Sequence, residues 1–162
     1  MPDNKFSLVT GFEELAIERQ ILRLLTLFVH KMDDGKLDEV ADMFSHADYE
    51  VRGIRYTGRD AVESCLTGSA RRHDGGSPGT IHVISNAVIT IDALGDRASC
   101  VSYYMVRHQL DDLPLHRFCD GRYYDTFELH NGQWRFSSRR DEPRSIGCAP
   151  TESPVDVDFV AE

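Results

Sequence analysis

Basic residues are thinly spread in this chain. No more than two Lys or Arg stand side by side, and the net charge is −9 at pH 7. A nucleic-acid binder needs a contiguous basic footprint to displace counterions from phosphates, so the charge pattern argues against that class. No apolar run approaches the ~20 residues that cross a bilayer. The opening Met1-Pro2-Asp3-Asn4-Lys5 has neither the charged nor the apolar region of a signal peptide. Cysteine is scarce too: Cys65, Cys100, Cys119 and Cys148 are scattered without Cys-x-x-Cys spacing. That pattern reads as reduced thiols in a cytoplasmic protein rather than a disulfide framework. Nucleotide-binding glycine loops, the nucleophile elbow Gly-x-Ser-x-Gly and the metal spacings His-x-His and His-Glu-x-x-His are all missing, so hydrolase, NTPase and dehydrogenase readings have no support. His108 and His116 flank Asp111 and Asp112, but without ligand spacing this reads as a solvated loop, and no metal is expected.

What is present is an ordinary globular composition, 41% hydrophobic and 28% charged over 162 residues, enough for one domain with a core. Residues 12 to 33 carry helical periodicity. Ile17, Ile21, Leu24, Leu25, Phe28, Val29 and Met32 share one apolar arc, while Arg19, Arg23 and His30 face away. Asp33 falls about 20° from Leu22, at the edge of that arc. Gly35 then supplies a stop. Leu37, Val40, Ala41 and Phe44 predict a second short helix, and Ala61, Val62, Cys65 and Leu66 the inner face of a third. Asp48 to Gly58 reads as one strand, and His73 to Gly79 as a loop.

From residue 80 onward nearly everything reads as strand, broken at Leu94-Gly95-Asp96, at Asp111 to Pro114, and at the Asn131-Gly132 turn, a strong hairpin signal. Pro143 is expected to end the last strand. The order, helices first and then a meander, predicts an α+β fold in which a curved antiparallel sheet wraps the N-terminal helices as a cone-like barrel with an internal pocket. Residues 1–11 form an extension, 12–142 the domain, and 143–162 a tail.

The segment "GTIHVISNAVITI" (Gly79 to Ile91) poses a question. Strict alternation puts His82, Ile84, Asn86 and Val88 on one face of an otherwise apolar strand. A histidine and an asparagine there either satisfy a polar core or line a pocket.

Four stretches, taken in order, resemble one family: "KMDDGKLDEVADMFS", "YTGRDAV", "GTIHVISNAVI" and "GRYYDTFELHNGQWRFSSR". They are similar to the SnoaL-like branch of the nuclear transport factor 2-like superfamily, which includes scytalone dehydratase, hexachlorocyclohexane dehydrochlorinase and bile-acid 7α-dehydratase. The resemblance covers residues 12 to 142. It implies that Asp33, at the end of the first helix, pairs with His82 on the strand after the third helix, and that Arg139 completes a polar catalytic site. Phe28, Tyr49, Asn86, Tyr104 and Tyr123 are candidate substrate-binding residues. One departure matters. Several dehydratases carry a tyrosine beside the helical aspartate or a turn before it, where this chain has Met32 and Phe28; Tyr49, Tyr104 or Tyr123 would have to substitute.

A carboxylate beside a histidine fixes its tautomer and stabilises the imidazolium, making a base for carbon acids near neutral pH. The resemblance therefore implies a cofactor-independent lyase or isomerase, dehydratase-like, acting on a hydrophobic small molecule. It also implies self-association as a dimer or trimer, without nucleic acid or membrane. Two alternatives stay open. The same fold serves as a non-catalytic ligand-binding or structural subunit, as in ring-hydroxylating dioxygenases, and as polyketide cyclases in which an aspartate alone is the acid–base. The fold does not choose between them.

Overall fold

The computed structural model describes residues 11–69, 79–109 and 116–148. The loop expected at His73 to Gly79 lies outside them except for Gly79. The break at Asp111 to Pro114 and the side chains of His108 and His116 also lie outside them.

Helix α1 spans Phe12–Asp33 and buries Ile21, Leu25 and Phe28, with Ile17, Leu24, Val29 and Met32 packed against the core. It stops where the sequence says it should. Gly35 sits at φ 73°, its N–H donates to the Met32 carbonyl at 3.2 Å, and the Lys36 N–H donates to the Lys31 carbonyl at 2.9 Å. This paired arrangement satisfies the last carbonyls and needs a residue free of the Cβ clash. Asp33 is thereby held in the final turn. Helix α2 (Leu37–Met43) buries Leu37, Val40 and Ala41, and helix α3 (Arg59–Ser69) buries Val62 and Leu66.

Six strands follow the order β2-β1-β6-β5-β4-β3 in one sheet. They are β1 (Asp48–Val51), β2 (Ile54–Thr57), β3 (Thr80–Ile91), β4 (Arg97–Gln109), β5 (His116–His130) and β6 (Gln133–Cys148). The sheet is curved, unclosed and mixed rather than wholly antiparallel, because β1 runs parallel to β6. The fold is α+β, as expected. The stretch read as a single strand at Asp48 to Gly58 is instead a hairpin, turning at Arg52 (φ 52°) and Gly53 (φ 79°). Both central residues take positive φ, as a type I′ hairpin turn requires, and arginine is an uncommon occupant. The Asn131-Gly132 turn has the same form, with φ of 50° and 76°.

Pro143 does not end β6. The strand runs on to Cys148, with Pro143 opposite Gly121 beside a register shift. Beyond Asp141 β6 has lost β1 as a neighbour, so a residue without an N–H costs little there. A second bulge lies in β3, where Asn86 and Ala87 together face Ser102 and Asn86 takes φ 51°. A third makes Ser137 the extra residue in β6 between the pairs Thr126–Ser138 and Phe127–Phe136. Each bulge bends its strand and reverses which residues face inward.

On the concave side, Ala98, Cys100, Tyr104 and Val106 of β4, Tyr123 and Phe127 of β5, and Trp134 and Phe136 of β6 pack as the core against the helices. The convex side leaves Val83 beside Met105 and Val88 beside Val101 exposed. Gly121 is closely surrounded. A Cβ there would lie 2.4 Å from the Glu142 carbonyl oxygen and 2.7 Å from the Tyr104 hydroxyl. Gly121→Ala is therefore expected to destabilise the fold by about 1–3 kcal/mol or more, since backbone must yield. Urea unfolding checks this: an unchanged midpoint would mean Tyr104 is not held against that backbone.

Candidate active site

A carboxylate in the last turn of a helix faces the negative end of the helix dipole, a locally unfavourable place. At Asp33 three donors from β3 compensate. The Thr80 hydroxyl donates to Oδ1 at 2.9 Å, the His82 backbone N–H to Oδ2 at 2.9 Å, and the His82 ring Nδ1 lies 2.6 Å from Oδ1. The His82 side chain is 8% exposed and that of Asp33 24%. Burial pushes the Asp33 carboxyl up, but the hydrogen bonds from the His82 ring and backbone and from Thr80 together outweigh it, and the net shift is downward. Asp33 is thus ionised at neutral pH. It holds the Nδ1 side of the imidazole and leaves Nε2 as the basic nitrogen.

Arg139 lies elsewhere in the interior. It is fully buried, and its Nε and Nη2 donate to the two Asp125 oxygens at 2.6 and 2.8 Å. Its guanidinium carbon lies 4.0 Å from the Phe28 ring centroid and 4.1 Å from that of Tyr123, two rings that meet edge to face at 86°, so it is packed in the corner they form. Nη1 has no hydrogen-bond partner among the described residues. Phe28 is one wall of this slot.

Tyr49 is buried, in register with Arg139 and against Phe44. Tyr104 and Tyr123 stack with centroids 4.2 Å apart on the concave face. Burial raises the pKa of all three phenols, most strongly at Tyr104 and Tyr123, so each stays a protonated donor.

Asn86 is the exception among the candidate residues. The bulge turns it outward and exposed, and Ala87 takes the inward position. Strict alternation placed it on the His82 face, and the extra residue reverses the phase.

Asp125, Thr80, Ser102 and Asp141 were not singled out from the sequence. Two of them were within reach of a simple rule, since Asp125 is two residues from Tyr123 and Asp141 two from Arg139, and strands repeat every two residues. Burial pushes the Asp141 carboxyl up, opposed by the hydrogen-bonding Tyr104 hydroxyl and by Arg139. A groove of about 360 Å³ runs along Thr90, Arg97, Ser99, Thr126 and Ser137 and contains none of these candidate residues. Among the described residues no cluster of three or more His, Cys, Asp or Glu side chains could hold a metal, and no helix is long and apolar enough to cross a membrane.

Three helices against a curved, unclosed mixed sheet make the cone-like α+β architecture of the nuclear transport factor 2-like fold. The SnoaL-like domain profile matches residues 13–140, and the chain belongs to that family. No curated protein matches it in sequence. Among solved structures it is similar to a candidate scytalone dehydratase from Novosphingobium aromaticivorans, at 23% identity and TM-score 0.71, over 89% of this chain and 96% of that one. It is similar to the hexachlorocyclohexane dehydrochlorinase LinA-type3 from Novosphingobium barchaimii, at 18% identity and TM-score 0.72, over 94% and 100%. A third is ActVI-ORFA from Streptomyces coelicolor, at 14% identity and TM-score 0.69, over 82% and 98%. At these identities the likeness establishes the fold.

The lowered Asp33 pKa has a consequence for acid stability. A carboxyl depressed in the folded state contributes stability that is present above its unfolded value, near 3.8, and is lost as pH falls through the lower folded value. Wild type is therefore expected to be more stable than Asp33→Asn at neutral pH, with the gap closing below about pH 4. Chemical unfolding at a series of pH values tests it, and a gap independent of pH would show that the Asp33 charge is not what the donors hold.

Proposed function

We propose that this protein is a cofactor-independent lyase or isomerase that takes a proton from carbon on a small molecule, with Asp33 and His82 as its acid–base pair. The observation that carries the reading is the 2.6 Å contact between His82 Nδ1 and Asp33 Oδ1, made by a nearly buried histidine and a partly buried aspartate from distant parts of the chain. Nε2 accepts the carbon proton, and the electron pair of that bond forms a double bond as the leaving group departs with its own pair. The imidazolium then gives the proton to the departing hydroxide, releasing water; in an isomerisation no group departs, the electron pair shifts along a conjugated system, and the proton returns to another carbon. Asp33 stabilises the imidazolium without taking the proton. Arg139 donates through Nη1 to oxygen that gains negative charge. Two neighbours are named for eliminations, a dehydratase and a dehydrochlorinase, which supports elimination over isomerisation.

The hydrogen bonds around Asp33 specify a test. In Asp33→Asn the obligatory His82 backbone N–H claims the amide oxygen, so the amide NH₂ turns toward Nδ1. The ring must then carry its proton on Nε2 and cannot act as a base there. Nitrogen-15 NMR is expected to show an Nδ1–H tautomer in wild type and an Nε2–H tautomer in the variant. Proton–deuterium exchange of β-hydroxy carbonyl compounds in heavy water is expected to fall by about 10²-fold or more in both Asp33→Asn and His82→Ala. Exchange that survives both substitutions would sink the dyad, and exchange lost only with Asp33 would favour an aspartate acting alone.

Self-association is part of the proposal. The exposed cross-strand pairs Val83–Met105 and Val88–Val101 flank the Ser85–Tyr103 pair on the same face at the β3 edge of the sheet, and apolar surface grouped in this way marks an interaction site. A second copy of the chain is the occupant we infer. Sedimentation is expected to give a dimer or trimer that Val88→Lys dissociates; a monomeric wild type would overturn it.

A further inference from the structure

Asp33 stands at a helix end, and its carboxylate meets the strand that carries His82 only through hydrogen bonds. The last torsion of an aspartate side chain is broad, with little preference of its own, so the carboxylate takes the orientation its donors impose. Two of the three donors belong to one residue: the His82 backbone N–H on Oδ2 and the His82 ring on Oδ1. Held by His82 alone, the carboxylate would be hinged on the residue it has to orient. The third donor, the Thr80 hydroxyl at 2.9 Å from Oδ1, comes from a different residue.

The strand explains why Thr80 can reach. Thr80 and His82 are two apart in β3, so their side chains leave the same face with Cα atoms about 6.6 Å apart. Asp33 bridges the two, with Oδ1 at 2.9 Å from Thr80 Oγ1 and 2.6 Å from His82 Nδ1. A carboxylate oxygen offers two lone pairs, so the Thr80 hydroxyl on one leaves the other for the ring. Thr80 is β-branched and restricted at χ1, and its backbone is paired with His108 in the ladder of β4. Its oxygen is therefore placed by the sheet, and little side-chain freedom is lost in holding the bond. A donor that only neutralised Asp33 would serve as well on either oxygen. This one shares the oxygen that holds the ring.

We propose that Thr80 is a positioning residue of the Asp33–His82 pair: its hydroxyl fixes Oδ1 so that the remaining lone pair faces His82 Nδ1 and the imidazole keeps Nε2 as its basic nitrogen. This rests on the reading of Asp33 and His82 as the acid–base pair. Thr80 acts through Asp33 and does not touch the proton in transfer. Its effect falls on the step that forms the imidazolium, and so on kcat rather than on KM.

Two substitutions separate the hydroxyl from the rest of the side chain. Thr80→Val keeps the branched shape and removes the donor, and Thr80→Ser keeps the donor. In wild type the Nδ1 proton is expected as a protected, far-downfield resonance in proton NMR. Thr80→Val is expected to speed its exchange with water about tenfold or more, the factor that one hydrogen bond to a charged group represents, and Thr80→Ser to recover most of that loss. In proton–deuterium exchange of β-hydroxy carbonyl compounds, Thr80→Val is expected to lower kcat about tenfold with KM unchanged, again largely recovered in Thr80→Ser. Thr80→Ala serves in place of Thr80→Val if the latter does not fold. A wild type without a protected Nδ1 proton, or one protected equally in wild type and Thr80→Val, overturns the proposal. So does Thr80→Ser behaving like Thr80→Val, which would assign the effect to packing of the methyl group. A wild type that exchanges no carbon acid, with Nδ1 protection still dependent on the hydroxyl, would remove the lyase reading and leave the hold of Thr80 on the pair standing.

Discussion

A guanidinium at the bottom of an apolar core persists only if its charge is met and its plane is held, and much of this fold is arranged around meeting those conditions at Arg139. Asp125 supplies the charge from the neighbouring strand, two bonds to one fork. Phe28 and Tyr123, edge to face with each other, both pack against it, and Tyr49 lies beside it in register on the parallel strand β1. One residue therefore joins β1, β5, β6 and α1. Removing one partner from such a buried pair costs on the order of 3–5 kcal/mol, because the other charge is left without compensation. The contact with Phe28 also fixes how α1 is rolled on the sheet. Asp33 is five residues further along the same helix, so its meeting with Thr80 and His82 depends on the Arg139 slot below it.

The bulges do the remaining alignment. In β6 the inward residues are Trp134 and Phe136, then Arg139 and Asp141, a change of phase produced by the extra Ser137. Without it Arg140 would occupy the interior; instead it lies outside, its guanidinium 4.1 Å from the Tyr124 ring. In β3 the inward set is Thr80, His82 and Ile84, then Ala87, Ile89 and Ile91. The first half carries the polar rim, and the second half is free to be apolar where it packs on the core. Asn86 suits the corner because its short polar side chain tolerates the left-handed backbone.

Much of the architecture was legible because it rests on local signals: the apolar arc of α1, Gly35 at its end, the Asn131-Gly132 turn, and the alternation of the long strands. The Arg52-Gly53 turn was not, because arginine carries no turn preference and the flanking residues read as continuous strand. Pro143 misled for a related reason: its missing N–H matters only where a neighbouring strand needs it, and that depends on where β1 ends. The Asp33–His82 pair was visible through the family resemblance, since a helix end and a strand 49 residues apart share no periodicity. The role of Asp125 was hidden because a lone aspartate in a strand reads as solvated until its partner is known, and strict alternation from Phe136 points to Arg140 rather than Arg139.

The two charged pairs sit in different electrostatic situations, and this divides their work. Asp33 is ionised against the pull of its helix end, and its negative charge can stabilise a positive charge on His82 when one forms. Arg139 is positive but already matched by Asp125, so it brings directed N–H groups without a net field. A substrate that develops negative charge on oxygen would then be met by a hydrogen bond rather than by a free cation. Such a bond is strong in a dry interior and sensitive to geometry, which is why the packing of Phe28 and Tyr123 against the guanidinium matters as much as its charge. Tyr104 and Tyr123, kept protonated by burial, add donors and no charge to the same wall. In the proposed reaction the rim therefore moves the proton, and the stretch of α1 from Phe28 to Asp33 ties it to the buried Arg139–Asp125 pair.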